Sequence, residues 1–313
     1  MATQSAQRKL TGTAAQRLMP AGSKAQTIQP LTAGQENEVL AFLNARPTHT
    51  VFMVGMIRDN GLESVFNRGT FYAYRNIEGK LEGVALIGHA TLIEARTEAA
   101  LQAFANVAQD CQHTHMIMGE MERVEGFWNY YAEGGQSPRL ACRELLFEQR
   151  WPVEVREEVR GLRMATLDDL QMVMAVQAEM AFAESGINPM ETDPLGFRLR
   201  CGRRIEQGRV WVLVKDGRLL FKADIISDTS EVVYLEGIYI APEERGKGYG
   251  LRCLSQLSRN LLARTKSICL LVNEMNQAAH GFYQKAGYKM TALYDTIFLQ
   301  QASAAAKATT TNN

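Results

Sequence analysis

Two kinds of spacing alternate along the chain between residues 27 and 300. Short runs with apolar residues at every second position predict strands, and longer runs with apolar residues three and four apart predict helices. The order of these runs repeats. "TIQPLTAGQENEVLAFLNARP" from Thr27 and "EVRGLRMATLDDLQMVMAVQAEM" from Glu158 each give a short strand, a polar turn and an amphipathic helix. In the second, Thr166 with Asp169 three residues on forms a capping box, with Asp in place of the usual Glu or Gln. Each opening leads to a hairpin. Residues 69–88 turn at Glu78-Gly79, and residues 208–227 turn at Asp216-Gly217, a dipeptide that favours tight hairpins.

A third strand follows each hairpin: "ATLIEA" in the first passage, "EVVYLEGIYI" (231–240) in the second. A helix, a strand and a helix come next, at 249–265, 268–273 and 276–286 in the second passage. "KMTALYDTIFL" closes the pattern as one or two strands. Pro152 and a charge run at 150–159 interrupt the rhythm. The expected organisation is a domain over 27–150 and a second over 158–300, between tails at 1–26 and 301–313 whose composition is that of disordered segments.

Composition narrows the classes. The 313 residues suit two domains, and 46% hydrophobic content suffices for real cores. Thirty-four basic residues balance thirty-four acidic ones, so bulk attraction to nucleic acid or to an anionic membrane is not expected. No apolar run reaches the length of a membrane span. The five cysteines are odd in number, far apart and in no C-x-x-C pair, which suggests neither a disulfide framework nor a zinc site and fits a reducing cytoplasm.

The candidate chemistry begins where strand 231–240 meets its helix. Pro242 and Glu243-Glu244 end the strand. Arg245, Gly246, Lys247, Gly248, Tyr249 and Gly250 follow, and then leucines at helical spacing. A helix start offers N–H groups without intrahelical partners and a positive end of the macrodipole. Missing side chains at Gly248 and Gly250 would let a pyrophosphate reach those groups, with Arg245 and Lys247 at the rim. A glycine-rich turn that only exposes its charges to water would look the same. The pattern is neither a P-loop nor the dinucleotide fingerprint.

A second stretch, "NQAAHGFYQKAGYK" from Asn276, lies about thirty residues further on, after an apolar strand. Together the two stretches resemble the Gcn5-related N-acetyltransferase (GNAT) superfamily. Arg245, Gly248 and Gly250 match its [QR]-x-x-G-x-[GA] signature. Asn276, Ala279, Phe282-Tyr283 and Gly287-Tyr288 match its later one. The resemblance covers residues 158–300. It implies an α/β fold of two tandem GNAT-like domains, each a splayed mixed sheet flanked by helices. It implies acetyl-CoA as co-substrate, no metal, and an amine acceptor, small molecule or peptide. Ile238, Tyr239 and Ile240 would pair with pantetheine through their backbone. The glycine turn would hold the pyrophosphate, Asn276 and Ala279 would border the pantetheine arm, and Tyr283 would stand near the sulfur.

Transfer from a thioester to an amine needs a base, an oxyanion site and a proton for the thiolate. Glu236, a carboxylate in an otherwise apolar run, is the candidate base, and acetyltransferases of the aminoglycoside type show a similar Leu-Glu-Gly-Ile run. Burial there would be costly without a task or a partner; the alternative is an outward-facing or arginine-paired carboxylate. Tyr283 is the candidate acid, or else a core aromatic beside Phe282. Gly237 marks a possible irregularity of the strand. His280 reads as helix surface. His113 and His115 alternate on a strand but have no evident acid or Cys partner. Glu179, Glu184 and Asp193 read as solvated charges that could otherwise meet a cationic acceptor. The first passage has no glycine between Glu94 and Asp110 and no Asn-x-x-Ala, so it is expected to be a degenerate copy that walls the acceptor cleft and binds no acetyl-CoA. A non-catalytic acyl-CoA sensor or scaffold, or a transferase with another acyl donor, is the alternative to the enzyme.

Overall fold

The computed structural model describes residues 27–300 apart from 152 and 155. The two terminal segments and Pro152 lie outside the described residues. In chain order the first half runs β1 (Thr27–Pro30), α1 (Glu36–Leu43), α2 (Pro47–Asn60), β2 (Gly69–Arg75), β3 (Leu81–Gly88), β4 (Ala90–Ala95), α3 (Glu98–Gln109), β5 (Met116–Glu120), α4 (Met121–Tyr131) and β6 (Pro138–Gln149). The second runs β7 (Leu162–Met164), α5 (Leu170–Ser185), α6 (Pro189–Thr192), α7 (Pro194–Glu206), β8 (Val210–Lys215), β9 (Arg218–Asp228), β10 (Val232–Ile240), α8 (Tyr249–Leu262), β11 (Ser267–Asn273), α9 (Gln277–Lys285) and β12 (Lys289–Leu299). The closing apolar run is one strand.

Local chemistry explains these boundaries. Thr166 and Asp169 satisfy each other's backbone ahead of α5, as a capping box does. Asp216 and Gly217 both take positive φ, 51° and 72°, the backbone of a tight turn between right-twisted strands. In α8, Leu254, Leu257 and Leu261 are buried on one face.

The twelve strands among the described residues form one sheet, in the order β1-β2-β3-β4-β5-β12-β6-β11-β10-β9-β8-β7. Two strands cross over. β6, the last strand of the first half, pairs antiparallel with β11 of the second. β12, the last strand of the second half, pairs antiparallel with β5 of the first. β6 and β12 pair with each other at the centre, across a pseudo-two-fold relation between the halves. Residues 138–149, before the expected boundary in sequence, thus lie inside the second half's sheet.

Helices cover both faces. α1, α2, α5 and α7 lie on one, packing on residues such as Phe71, Leu92 and Val212. α3, α4, α8 and α9 lie on the other, over Ile93, Ile117, Val233 and Leu270. Helix α2 also reaches across the centre: Val51 joins Tyr234, Leu146 and Tyr294 in one apolar cluster, and Ser227 donates to the Val51 carbonyl at 2.6 Å. No described helix is long and apolar enough to cross a membrane.

Among the described residues each half contains one parallel pair, and each pair holds for three rungs before separating. β4 and β5 pair from Ala90↔Met116 to Leu92↔Met118. β10 and β11 pair from Val232↔Ser267 to Tyr234↔Cys269. This common register makes Leu92 the counterpart of Tyr234, and Glu94 that of Glu236.

Candidate active site

The cleft between β10 and β11 opens beyond Tyr234, leaving one edge of residues 235–240 without a strand partner. The other edge stays on β9, with a register shift between Glu236↔Asp224 and Tyr239↔Lys222 that places an extra residue on β10. Gly237 sits in this bulge at φ +59°; a Cβ there would come within 2.7 Å of Lys222 Nζ. Lys222 is fully buried. Its ammonium donates to the Gly237 carbonyl at 3.1 Å and to Gln177 Oε1 at 2.8 Å, and pairs with Asp224 at 2.8 Å. Arg204 of α7 also donates to Asp224, at 2.9 Å. A buried cation needs such partners, and together they fix the bulge. Sequence reasoning missed this support, although Lys222 and Asp224 are the polar interruptions of the otherwise apolar run "LLFKADII".

The glycine turn divides its work. Gly246 and Gly248 have φ of +77° and +82°, and a Cβ at either would meet nothing within 4 Å, so the space above them is open. Gly248 is the N-cap of α8 and provides no side-chain cap, leaving the first helical N–H groups for a ligand. Gly250 differs from expectation: a Cβ there would strike Ile240 Cδ1 at 2.1 Å, so this glycine lets α8 pack on β10 rather than admitting a phosphate. Arg245 is exposed, and its Nε donates to the Ile240 carbonyl at 3.2 Å. Lys247, expected free at the rim, pairs with Glu244 at 3.2 Å. Tyr249 lies under the Arg252 guanidinium, 4.9 Å from its ring centre. An uncapped fourteen-residue helix with open glycines before it, continuous with an unpaired strand edge, fits an extended diphosphate ligand such as acetyl-CoA.

Glu236 is exposed to the cleft, not buried in the strand as its apolar neighbours suggested. The protein crowding the cleft still disfavours its charged form and raises its pKa, Arg204 and Lys222 opposing and Asp224 reinforcing. It shares this field with two carboxylates from other elements. Glu144 of β6 accepts from Thr296 at 2.5 Å, and its pKa is raised by desolvation, with Glu236 adding to the effect. Glu184 of α5 is pushed up to about 7, by desolvation first and then by Glu236 and Glu144. Gln177 and Glu184, seven residues apart, share one helix face.

Tyr283 lies on the opposite face of the sheet, 9% exposed, among Phe147, Phe282 and Tyr288. Burial raises its pKa. Its hydroxyl has no hydrogen-bond partner among the described residues, whereas Tyr288 meets Ser258 at 3.0 Å. Asn276 is the N-cap of α9, its side-chain oxygen accepting from Ala279 N at 3.1 Å, so only its amide N–H groups remain to donate. His280 contacts the Asn273 carbonyl at 3.0 Å. His115 stacks on His89 with ring centres 5.0 Å apart; it and His113 precede β5 rather than lying on it.

Comparison with known proteins follows the geometry. Residues 206–290 match the family model described as an acetyltransferase (GNAT) domain. No curated protein matches the sequence. A GNAT-family acetyltransferase from Colwellia psychrerythraea superposes with a TM-score of 0.56 at 12% identity, covering 88% of this chain and 100% of its own. A Drosophila protein gives 0.65 at 12% identity, over 89% and 100%. A tandem GNAT protein from the clavulanic acid biosynthesis pathway gives 0.55 at 11% identity, over 90% and 100%. At such identities the likeness is one of fold. The match to the acetyltransferase (GNAT) family lies in the second half of the chain, and the likeness of fold extends over both halves. A domain of this family implies acyl-CoA-dependent acyltransferase activity.

Proposed function

We propose that the protein transfers an acetyl group from acetyl-CoA to the amine of a small molecule or peptide, by direct attack in a ternary complex. The observation that carries this reading is continuity. The unpaired edge of β10 runs from Glu236 to the uncapped start of α8, with Gly248 open above it. Arg245 and the free N–H groups from Gly248 onward hold the pyrophosphate. The backbone of Ile238, Tyr239 and Ile240 takes the pantetheine arm, bordered by Asn276 and Ala279.

Glu236 and Tyr283 lie on opposite faces of the sheet, and the gap between β10 and β11 joins those faces. The amine enters from the Glu236 side. The carboxylate takes a proton from the ammonium, directly or through a water, and frees the nitrogen lone pair. As the N–C bond forms, a free N–H beside the bulge stabilises the carbonyl oxygen. As the C–S bond breaks, Tyr283 gives its proton to the thiolate, and the second proton that the nitrogen loses in becoming an amide passes through water to restore the phenol. Burial raises the pKa of this phenol, so it is protonated before the thiolate forms.

The first half binds no acetyl-CoA in this reading, so one molecule binds per chain. It instead contributes β6 and α2 to the walls of the acceptor cleft. The test is thiol release from acetyl-CoA by the full-length protein against a panel of amines. Amine-dependent release is expected. CoA binding without amine-dependent release from any class would replace the enzyme with an acyl-CoA sensor.

A further inference from the structure

The acceptor side of the cleft holds more negative charge than one ammonium requires. Glu236 comes from β10, Glu184 from α5 and Glu144 from β6, which belongs to the first half of the chain. Asp224 lies beneath them. Its charge and theirs amount to four negatives when ionised, against two positives on Arg204 and Lys222, and both of those cations are already bound to Asp224. Arg143, the other cation beside Glu144 on β6, is held by Asp295 at 2.9 Å. With all four carboxylates ionised, the cleft carries two negative charges that neither cation matches.

A second observation points to a ligand. Tyr234 is only 4% exposed, and its ring packs on Phe52 with centres 4.2 Å apart. Its hydroxyl feels the charges of Glu236, Glu144 and Glu184, and it has no hydrogen-bond partner among the described residues. The ring is buried but the oxygen is not one of the enclosed unpartnered atoms, so it opens to the cleft. Glu236 shares its face of β10, and Glu144 shares the face of Leu146, which packs in the same cluster, so the hydroxyl is placed to accept from a cationic N–H donor.

Resting on the acetyl-transfer reading, we infer that the acceptor is a diamine or longer polyamine: Glu236 receives the reacting nitrogen, and Glu144, Glu184 and Tyr234 hold a second ammonium. Glu144 and Glu184 are specificity residues in this scheme. Their charges enter recognition of the distal ammonium and not the proton transfer.

The experiment uses full-length protein with 1,4-diaminobutane against butylamine and 1,6-diaminohexane against hexylamine, scored by kcat/KM for thiol release and by calorimetric affinity in the presence of CoA. At least one diamine is expected to exceed its monoamine about tenfold or more, a margin that one desolvated charge pair supplies. In Glu184→Gln and Glu144→Gln that ratio should fall towards one, mainly through KM, and Tyr234→Phe should lower it less. Equal acetylation of monoamines and diamines overturns the inference and leaves the transfer reading standing. So does a ratio unchanged in both Gln variants. Selective diamine binding without turnover, lost in Glu184→Gln, upholds the inference and overturns the transfer reading. Neither turnover nor selective binding overturns both.

Discussion

The clefts of the two halves start from the same frame and end in opposite states. In each, a parallel strand pair separates after three rungs, with a glutamate two residues beyond the last rung. In the first half that glutamate, Glu94, has a side chain 6% exposed and is gripped by Arg46 at 3.1 Å and Arg123 at 3.5 Å. Arg123 also donates to the Ala95 carbonyl, and Glu120, His49 and Tyr294 complete the packing. The residual cavity is about 20 Å³, room for about one water. The helix start beyond it is closed as well: Thr97 caps α3 by accepting from Ala100 N, and Glu98 puts a negative charge in the first turn. In the second half the cations beside Glu236 are held by Asp224, the cleft stays open, and α8 begins on an uncapped glycine. Where the charges are paired therefore decides which half keeps an open cleft.

Four experiments break or sharpen this contrast, from the largest effect to the smallest. Gly248→Glu puts a bulky anion over the open N–H groups. Calorimetric CoA binding should disappear while circular dichroism stays native, because a side chain at positive φ costs only about 1 kcal/mol. Residual binding, or two sites per wild-type chain, would restore ligand binding to the first half. Tyr283→Phe should lower kcat about 10²-fold with CoA affinity little changed, and an unaltered kcat would return this tyrosine to the core.

The paired glutamates should fail differently. Glu94→Gln leaves two arginines facing a neutral amide, so it should cost about 2–3 kcal/mol of stability by denaturant titration and move kcat/KM little. Glu236→Gln should do the reverse. Stability should hold, and the rise of kcat/KM with pH should flatten, since a carboxylate proposed as the base would act only when deprotonated. If both variants lose the same property, the contrast between plug and catalyst is wrong.

Glu184→Gln is the smallest effect, and its sign is fixed. Glu184 titrates near 7 in the folded protein against 4.5 for a free side chain. A raised carboxyl pKa means stability that is full below about 4.5 and is lost as pH rises through about 7. The variant should therefore gain Tm relative to wild type at pH 8 and show no gain at pH 4, an exposed side chain keeping the difference small. An equal shift at both pH values would separate Glu184 from its acidic neighbours.

Much of the second half was legible before any coordinate. The Asp216-Gly217 turn, the Thr166–Asp169 box, the leucine face of α8 and the glycines ahead of it all act within a few residues, and short-range chemistry is written locally. The role of Gly250 was misread, because its constraint comes from Ile240, ten positions back on another element. Glu184 was read as a solvated charge and is exposed, but nothing in its own helix signals the two carboxylates that α5 carries it towards. The buried Lys222 was visible as a polar break in an apolar strand, but its acceptor, the Gly237 carbonyl, becomes available only through the bulge.

The sequence by itself determined the elements, their order, the duplication and the uncapped glycine start of α8, since propensity, turn geometry and side-chain period depend on neighbours along the chain. Tertiary structure decided three things. It exchanged β6 and β12 between the halves, because an alternating strand specifies which face it buries but not which edge it joins. It brought Glu144, Glu184 and Glu236 from both halves to one cleft. It also placed Arg46 and Arg123 on Glu94 while Arg204 and Lys222 went to Asp224. The state of a carboxylate depends on which cation lies within a few ångströms, and that distance is set by packing rather than by position in the chain.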